Sequence, residues 1–131
     1  MKLLLDTHIW LWSALQPDRL TRRVARELTK PENELWLSAI SVWELSILQR
    51  KRRFRLPDDL TAWVAQSTRD LELVEAPLTV EVALAVSTMS FALADPADLF
   101  LAASAKVFDL TLVTADERLM RISGVQVLPN R

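Results

Sequence analysis

Three short apolar runs, each closed by a polar residue, limit this chain to few architectures. Leu3–Leu5 stops at Asp6, Leu35–Leu37 at Ser38 and Leu110–Val113 at Thr114. Runs this short and this apolar predict strands buried on both faces, as in a parallel sheet covered by helices. Leu71–Val74 and Val125–Leu128 are weaker strand candidates. Helical spacing fills the intervals. Thr21–Thr29 carries Val24 and Leu28 four apart, Ser41–Arg50 carries Val42, Leu45 and Leu48 three apart, and Asp58–Arg69 carries Leu60 and Val64. Thr79–Phe91 places Val82, Val86 and Met89 together, and Ala97–Phe108 is apolar on most sides, which predicts a central buried helix. Strands alternating with helices argue for an α/β fold around a mainly parallel sheet of about five strands. In such sheets the functional crevice lies beyond the carboxyl ends of the strands.

Composition narrows the chemistry. The 131 residues suit a single domain spanning 1–131, half of them apolar and a quarter charged, which is a globular balance. Sixteen Lys and Arg against seventeen Asp and Glu leave a net charge of −1, so no whole-molecule field draws the protein to nucleic acid or membrane. The lack of cysteine excludes disulfides, thiolate zinc sites and thiol nucleophiles. A single glycine, Gly124, excludes Gly-rich phosphate loops, and a single histidine, His8, excludes a two-His zinc site. No apolar stretch approaches the roughly 20 residues that cross a bilayer. Met1–Leu5 meets Asp6 too soon to form a signal-peptide core, so a cytoplasmic protein is expected.

The acids need explaining. Asp6 closes the first strand candidate, and Asp116 follows Thr114 at the end of another. Glu44 falls in the first turns of the helix after Leu35–Leu37, and Asp95 and Asp98 flank Pro96 at the start of the central helix. In a parallel sheet all five project towards one edge. Carboxylates held together repel, and each acquires a raised pKa unless a cation neutralises them. Oxygen ligands alone select a hard cation, Mg²⁺ or Mn²⁺. Such a cation among three or four carboxylates, with open coordination positions, suits phosphodiester hydrolysis. Each acid also has a simpler reading. Ser41-Val42-Trp43-Glu44 matches an S-x-x-E capping box, and Thr114–Glu117 fits the same template with Asp116 as a first-turn acid. Asp95 reads as an N-cap before Pro96, leaving Asp98 in the first turn. Asp6 resists such a reading, because no cation follows it until Arg19.

Four blocks carry a family resemblance. Leu4-Leu5-Asp6-Thr7-His8-Ile9-Trp10-Leu11-Trp12 resembles the opening of PIN-domain proteins, above all the VapC-type ribonuclease toxins of type II toxin–antitoxin systems. Ser38-Ala39-Ile40-Ser41-Val42-Trp43-Glu44-Leu45 is similar to the second motif, Asp95-Pro96-Ala97-Asp98 with Leu101–Ala105 to the third, and Leu112-Val113-Thr114-Ala115-Asp116-Glu117-Arg118-Leu119 to the fourth. The blocks stand in the family's order across nearly the whole chain. The resemblance implies a three-layer α/β/α fold and an endoribonuclease dependent on one or two Mg²⁺ or Mn²⁺ ions. It also implies three partners: an RNA substrate, a neutralising antitoxin and a second copy of the chain in a homodimer. Residue by residue, the family's four acids fall on Asp6, Glu44, Asp98 and Asp116, and its orienting hydroxyl falls on Thr114. Asp95 matches an accessory acid and ranks below Asp98. One departure stands out: the third motif usually reads Asp-Arg, and here Leu99 follows Asp98. Leu93 and Ala94 also replace a His or Gly that many relatives carry before that motif. The departure bears on substrate choice or turnover.

Other residues admit two readings. Arg50, Lys51, Arg52, Arg53 and Arg55 fall within six positions, and read either as a solvated helix end or as an RNA phosphate-tracking patch. His8 reads as a structural neighbour of the acids rather than a ligand. Trp36 and Trp43 read as core or subunit interface. Trp10 and Trp12 fall on opposite sides of the first helix, so one of them is expected at the surface. With Leu11 and Leu15 it suggests a groove for an antitoxin helix that brings a basic side chain to the acids, or a homodimer face. Two function classes therefore stand side by side: a metal-dependent endoribonuclease toxin, and a catalytically weak or inactive PIN-fold module that binds RNA or protein. Leu99 is the feature that favours the second. A phospho-receiver reading fails, because Thr7 and His8 stand where it needs a second acid.

Overall fold

In the computed structural model, which describes residues 1–89 and 95–131, the apolar runs become strands of one sheet. β1 (Lys2–Leu5), β2 (Glu34–Ser38), β3 (Val74–Ala76), β4 (Thr111–Thr114) and β5 (Val127–Pro129) lie in the order β3-β2-β1-β4-β5. Every neighbouring pair is parallel. Leu4 pairs with Trp36 on one side and Leu112 on the other, which sets the central register.

Successive side chains of a strand point to opposite faces, and the core divides accordingly. Leu3 and Leu5 pack with Leu35, Leu37 and Val113 on one face, whereas Leu4 packs with Leu112 and Ala76 on the other. The first face is covered by α1 (Thr7–Leu15), α2 (Arg22–Thr29), α3 (Ala39–Arg50) and α4 (Leu60–Asp70), which contribute Ile9, Trp10, Val24, Leu45 and Trp63. The second is covered by α5 (Val80–Ser87), α6 (Pro96–Val107) and α7 (Glu117–Met120), with Val86, Leu99, Leu101, Ala105 and Leu119. Leu3, Leu4 and Leu5 are each 0% exposed, so both faces of β1 are sealed and the expected three layers are present. α6 is the central helix, buried from Ala97 to Leu99 and from Leu101 to Ala105, where small alanines permit close approach to the sheet.

Element edges depart from expectation for local reasons. The third strand runs over Val74–Ala76 rather than Leu71–Val74, because Leu71 and Glu72 terminate α4. Glu72 takes a left-handed φ of 51° and the Leu73 N–H bonds the Thr68 carbonyl at 3.0 Å. Arg52 after α3 (φ 56°) and Asp109 after α6 (φ 54°) close their helices the same way. These are positions that glycine favours, filled by L-residues in a chain with one glycine. The fifth strand begins at Val127 rather than Val125, beyond the turn at Gly124. The third helix starts at Ala39, not Ser41, because the Ser38 hydroxyl caps the Ile40 N–H. α5 ends at Ser87, short of the expected Phe91. Phe91, Leu93 and Ala94 lie outside the described residues. No helix among the described residues is long and apolar enough to cross a membrane.

Strand order reverses between β1 and β4. The chain builds outward from β1 through β2 to β3, then returns to place β4 on the other side. The crevice beyond the carboxyl ends of β1 and β4 is where parallel sheets bind ligands.

Candidate active site

Asp6, Glu44, Asp95, Asp98 and Asp116 line one cleft of about 400 Å³ at this reversal, together with His8, Trp12, Ala115 and Arg118. The sheet delivers Asp6 from the end of β1 and Asp116 from just beyond β4. α3 brings Glu44, and the start of α6 brings Asp95 and Asp98.

The simpler capping reading holds for two of the five. Asp95 caps α6 through the Ala97 N–H at 3.0 Å, with Pro96 following as expected. Asp116 is the N-cap of α7 itself, accepting from the Arg118 N–H at 2.8 Å, rather than a first-turn acid. The capping box at Ser41–Glu44 is absent. Ser38 caps α3, and Glu44 instead accepts a hydrogen bond from Thr7 Oγ1 at 2.6 Å. Ser41 Oγ lies 2.9 Å from the same Thr7 oxygen, so α1 and α3 meet through these hydroxyls. Asp6 occupies the N-cap position of α1 yet makes no side-chain capping bond. Its Oδ2 accepts from Thr114 Oγ1 at 2.6 Å, while Thr114 Oγ1 accepts from the Asp116 N–H at 3.0 Å. Thr114 thus joins the acids of β1 and β4.

The carboxylates disturb one another. Burial pushes Asp6 up, partly offset by the Thr114 hydroxyl and by His8. Glu44 is also raised by burial, against the Thr7 hydrogen bond, with Asp6 and Asp95 raising it further. Asp98 is pushed up to about 7, first by burial and then by Asp95, Asp6, Asp116 and Glu44. Asp116 is lowered, chiefly by the Arg118 side chain.

These residues fit a hard divalent cation by donor chemistry. The acids of the cleft offer only oxygen donors, and Asp98 Oδ2 is buried with no hydrogen-bond partner, as is the Trp12 Nε1 of the same cleft. Among the described residues no three acids converge as a finished ligand set. The Arg118 guanidinium stands between Asp98 and Asp116 instead, Nη2 lying 3.5 Å from Asp98 Oδ2 and 2.9 Å from Asp116 Oδ2. Sequence reasoning missed Thr7 and Arg118 as partners of the acids and read Ser41 only as a helix cap. The spacing of Arg118 two residues past Asp116 was the visible signal for it. Leu99 points into the second core layer and is 6% exposed, so the departure from Asp-Arg does not touch the acids; the guanidinium beside Asp98 comes from Arg118.

The surrounding residues sort differently from expectation. Trp10 and Leu11 are each 0% exposed, within the first core layer, so they cannot line a surface groove. Trp10 Nε1 donates to Ser67 Oγ at 2.8 Å, which ties α1 to α4. Trp12 and Leu15 are half-buried, and Arg19 lies over the Trp12 ring at 4.5 Å. Trp36 is half-buried in the second layer, whereas Trp43, beside Glu44, is 56% exposed and so not core. Of the basic run, Arg53 and Arg55 line a second cavity of about 500 Å³ with Phe54, Leu15 and Gln16. The His8 ring lies 5.7 Å from Trp12 and 6.0 Å from Phe54, bridging the two cavities.

A three-layer α/β/α domain with a carboxylate cleft at its strand reversal defines a class, and comparison with known proteins agrees. The PIN domain family pattern matches residues 3–125. The chain is 34% identical over 116 residues, 88% of each sequence, to Ribonuclease VapC22 of Mycobacterium tuberculosis. The chain therefore belongs to the PIN-domain family, among its VapC-type members. Its fold is similar to that in the crystal structure of VapBC2 from Rickettsia felis bound to a promoter DNA fragment, with TM-score 0.71 and 19% identity over 98% of each chain. DNA-bound VapBC from Salmonella typhimurium gives TM-score 0.68 and 21% identity, covering 100% of this chain and 99% of the other.

Proposed function

We propose that the protein is a divalent-metal-dependent endoribonuclease, the toxin of a toxin–antitoxin pair. The observation that carries this reading is that five carboxylates line one cleft, with Asp98 Oδ2 buried and accepting no hydrogen bond. The ribonuclease named among its relatives supports the reaction class. Asp6, Glu44, Asp98 and Asp116 would hold one or two Mg²⁺ or Mn²⁺ ions, and Asp95 would add negative charge at the rim. A divalent cation bound there supplies Lewis-acid polarisation of an RNA phosphodiester.

The remaining work falls to the chain. Thr114 holds Asp6 and the Asp116 backbone in one orientation through its single hydroxyl. Thr7 fixes one oxygen of Glu44. A carboxylate oxygen of the cleft not engaged by the cation would be available to take the proton of an attacking water. The RNA backbone would run from the acid cleft past His8 and Trp12 to Arg53 and Arg55, with Arg50, Lys51 and Arg52 exposed alongside.

Antitoxin binding follows from the kinship with VapBC complexes. Trp12 and Leu15 remain available for a docked helix, which would carry a basic side chain to the acids. Val80 and Leu84 of α5, 78% and 62% exposed, offer an apolar face for a homodimer.

Asp6→Asn and Asp98→Asn test the centre. Each is expected to abolish cleavage of a mixed RNA pool while circular dichroism stays native. Cleavage persisting in both would move the reaction elsewhere.

A further inference from the structure

Arg118 has no part in the chemistry above, yet its guanidinium lies inside the acid cleft. Nη2 reaches Asp116 Oδ2 at 2.9 Å and Asp98 Oδ2 at 3.5 Å, and Nε reaches Asp116 Oδ1 at 3.3 Å. Asp98 Oδ2 accepts no hydrogen bond, so this long ion pair is the contact that offsets its burial. The Arg118 side chain is 56% exposed, whereas that of Asp98 is 9% exposed, so the arginine is free to leave and the acid is not. Its backbone is tethered, because the Arg118 N–H donates to Asp116 Oδ1 at 2.8 Å.

Resting on the metal-dependent reading, we propose that Arg118 is a built-in counter-ion that holds the place between Asp98 and Asp116 and is displaced from it when a divalent cation binds. A guanidinium on a solvated side chain is a weak counter-ion, and a dication among carboxylates outcompetes it. Two cations within a few ångströms repel, so both cannot occupy the space between these two acids. The displaced side chain stays on the rim of the cleft, where its planar fork suits a phosphate oxygen. Arg118 is thus a positioning residue that offsets the repulsion between Asp98 and Asp116 before loading, at the expense of metal affinity.

The test is isothermal titration of metal-free protein with Mn²⁺ alone, comparing wild type, Arg118→Gln and Arg121→Gln. Arg121 lies three residues on and pairs with Glu117 at 3.5 Å, outside the cleft, so it controls for lost charge alone. Arg118→Gln is expected to bind Mn²⁺ roughly twofold to fivefold more tightly, the scale of a partly exposed ion pair, with Arg121→Gln unchanged. Arg118→Met, of similar length, replaces the Gln variant if that one unfolds. Equal or weaker binding in the Arg118 variant, or the same gain in Arg121→Gln, overturns the competition and leaves the metal site standing. No Mn²⁺ binding by any of the proteins overturns the metal reading and the competition together.

Discussion

Asp98 is the residue in which the cleft's electrostatics concentrate. Its carboxyl has an ordinary value of 3.8 and is pushed to about 7 in the fold. Between those values the unfolded chain is ionised while the folded one keeps its proton, so folding binds a proton there. Stability of the metal-free protein therefore falls as pH rises from about 4 to about 7, then levels off. Asp6 and Glu44, also raised, push in the same direction. Thermal midpoints of metal-free protein are expected to decline across this window, and Asp98→Asn to remove part of the decline and raise the midpoint at pH 7. An unchanged slope in the variant would place the proton elsewhere. At this scale the sequence made the acids legible by type and spacing, because all but Glu44, which lies within α3, follow a strand or open a helix. Their partners were not legible. Thr7 meets Glu44 only because α1 packs on α3, and Arg118 meets Asp98 only because α7 starts beside α6.

Elements were legible where periodicity was strong and indistinct where a single backbone angle decided the edge. The runs at Leu3–Leu5 and Leu35–Leu37 became β1 and β2 because burial on both faces demands continuous apolar residues. Leu71–Val74 misled because its first residues are needed to end α4, and the left-handed turn at Glu72 has no glycine to announce it. An L-residue in that conformation is strained by about 1–2 kcal/mol, part of which glycine loses again to its freer unfolded chain. Glu72→Gly is accordingly expected to stabilise the protein by about 0.5–1 kcal/mol, read from the denaturant midpoint, with cleavage unchanged. A lower midpoint would mean that the Glu72 side chain contributes more than its backbone costs. The capping box at Ser41 failed for a related reason. Ser38 ends β2 and caps α3 within the same turn, so the helix begins two residues before the motif that seemed to open it.

For the whole molecule, a net charge of −1 hides a strong local separation. Five acids line one cavity, while Arg53 and Arg55 line the next, with the His8 ring between Trp12 and Phe54 joining them. Under the proposed function, an RNA strand crossing both would meet the acids and, a short distance away, a phosphate grip. The salt dependence of binding to a single-stranded RNA measures that grip. Substituting Arg53 and Arg55 by Gln is expected to make the slope of log affinity against log salt shallower by about 1.4, about 0.7 for each phosphate that the variant no longer neutralises. An unchanged slope would leave the basic run as a solvated helix end. The parallel sheet was readable from the chain alone, since strand runs and crossover helices leave period-specific patterns, but its strand order was not. Nor was the separation of charge into neighbouring cavities, because it depends on how the chain turns at Arg52 beyond α3 and brings Arg53 and Arg55 to the cavity beside Leu15.

The proposed function requires that the carboxylate cleft bind a divalent cation and cut RNA with it. The most direct test is isothermal titration of metal-free protein with Mn²⁺, run beside cleavage of a mixed RNA pool with and without EDTA. Saturable Mn²⁺ binding and cleavage that EDTA abolishes are expected, both lost in Asp6→Asn. Cleavage that survives EDTA, or a protein that neither binds Mn²⁺ nor cuts RNA, would contradict the claim.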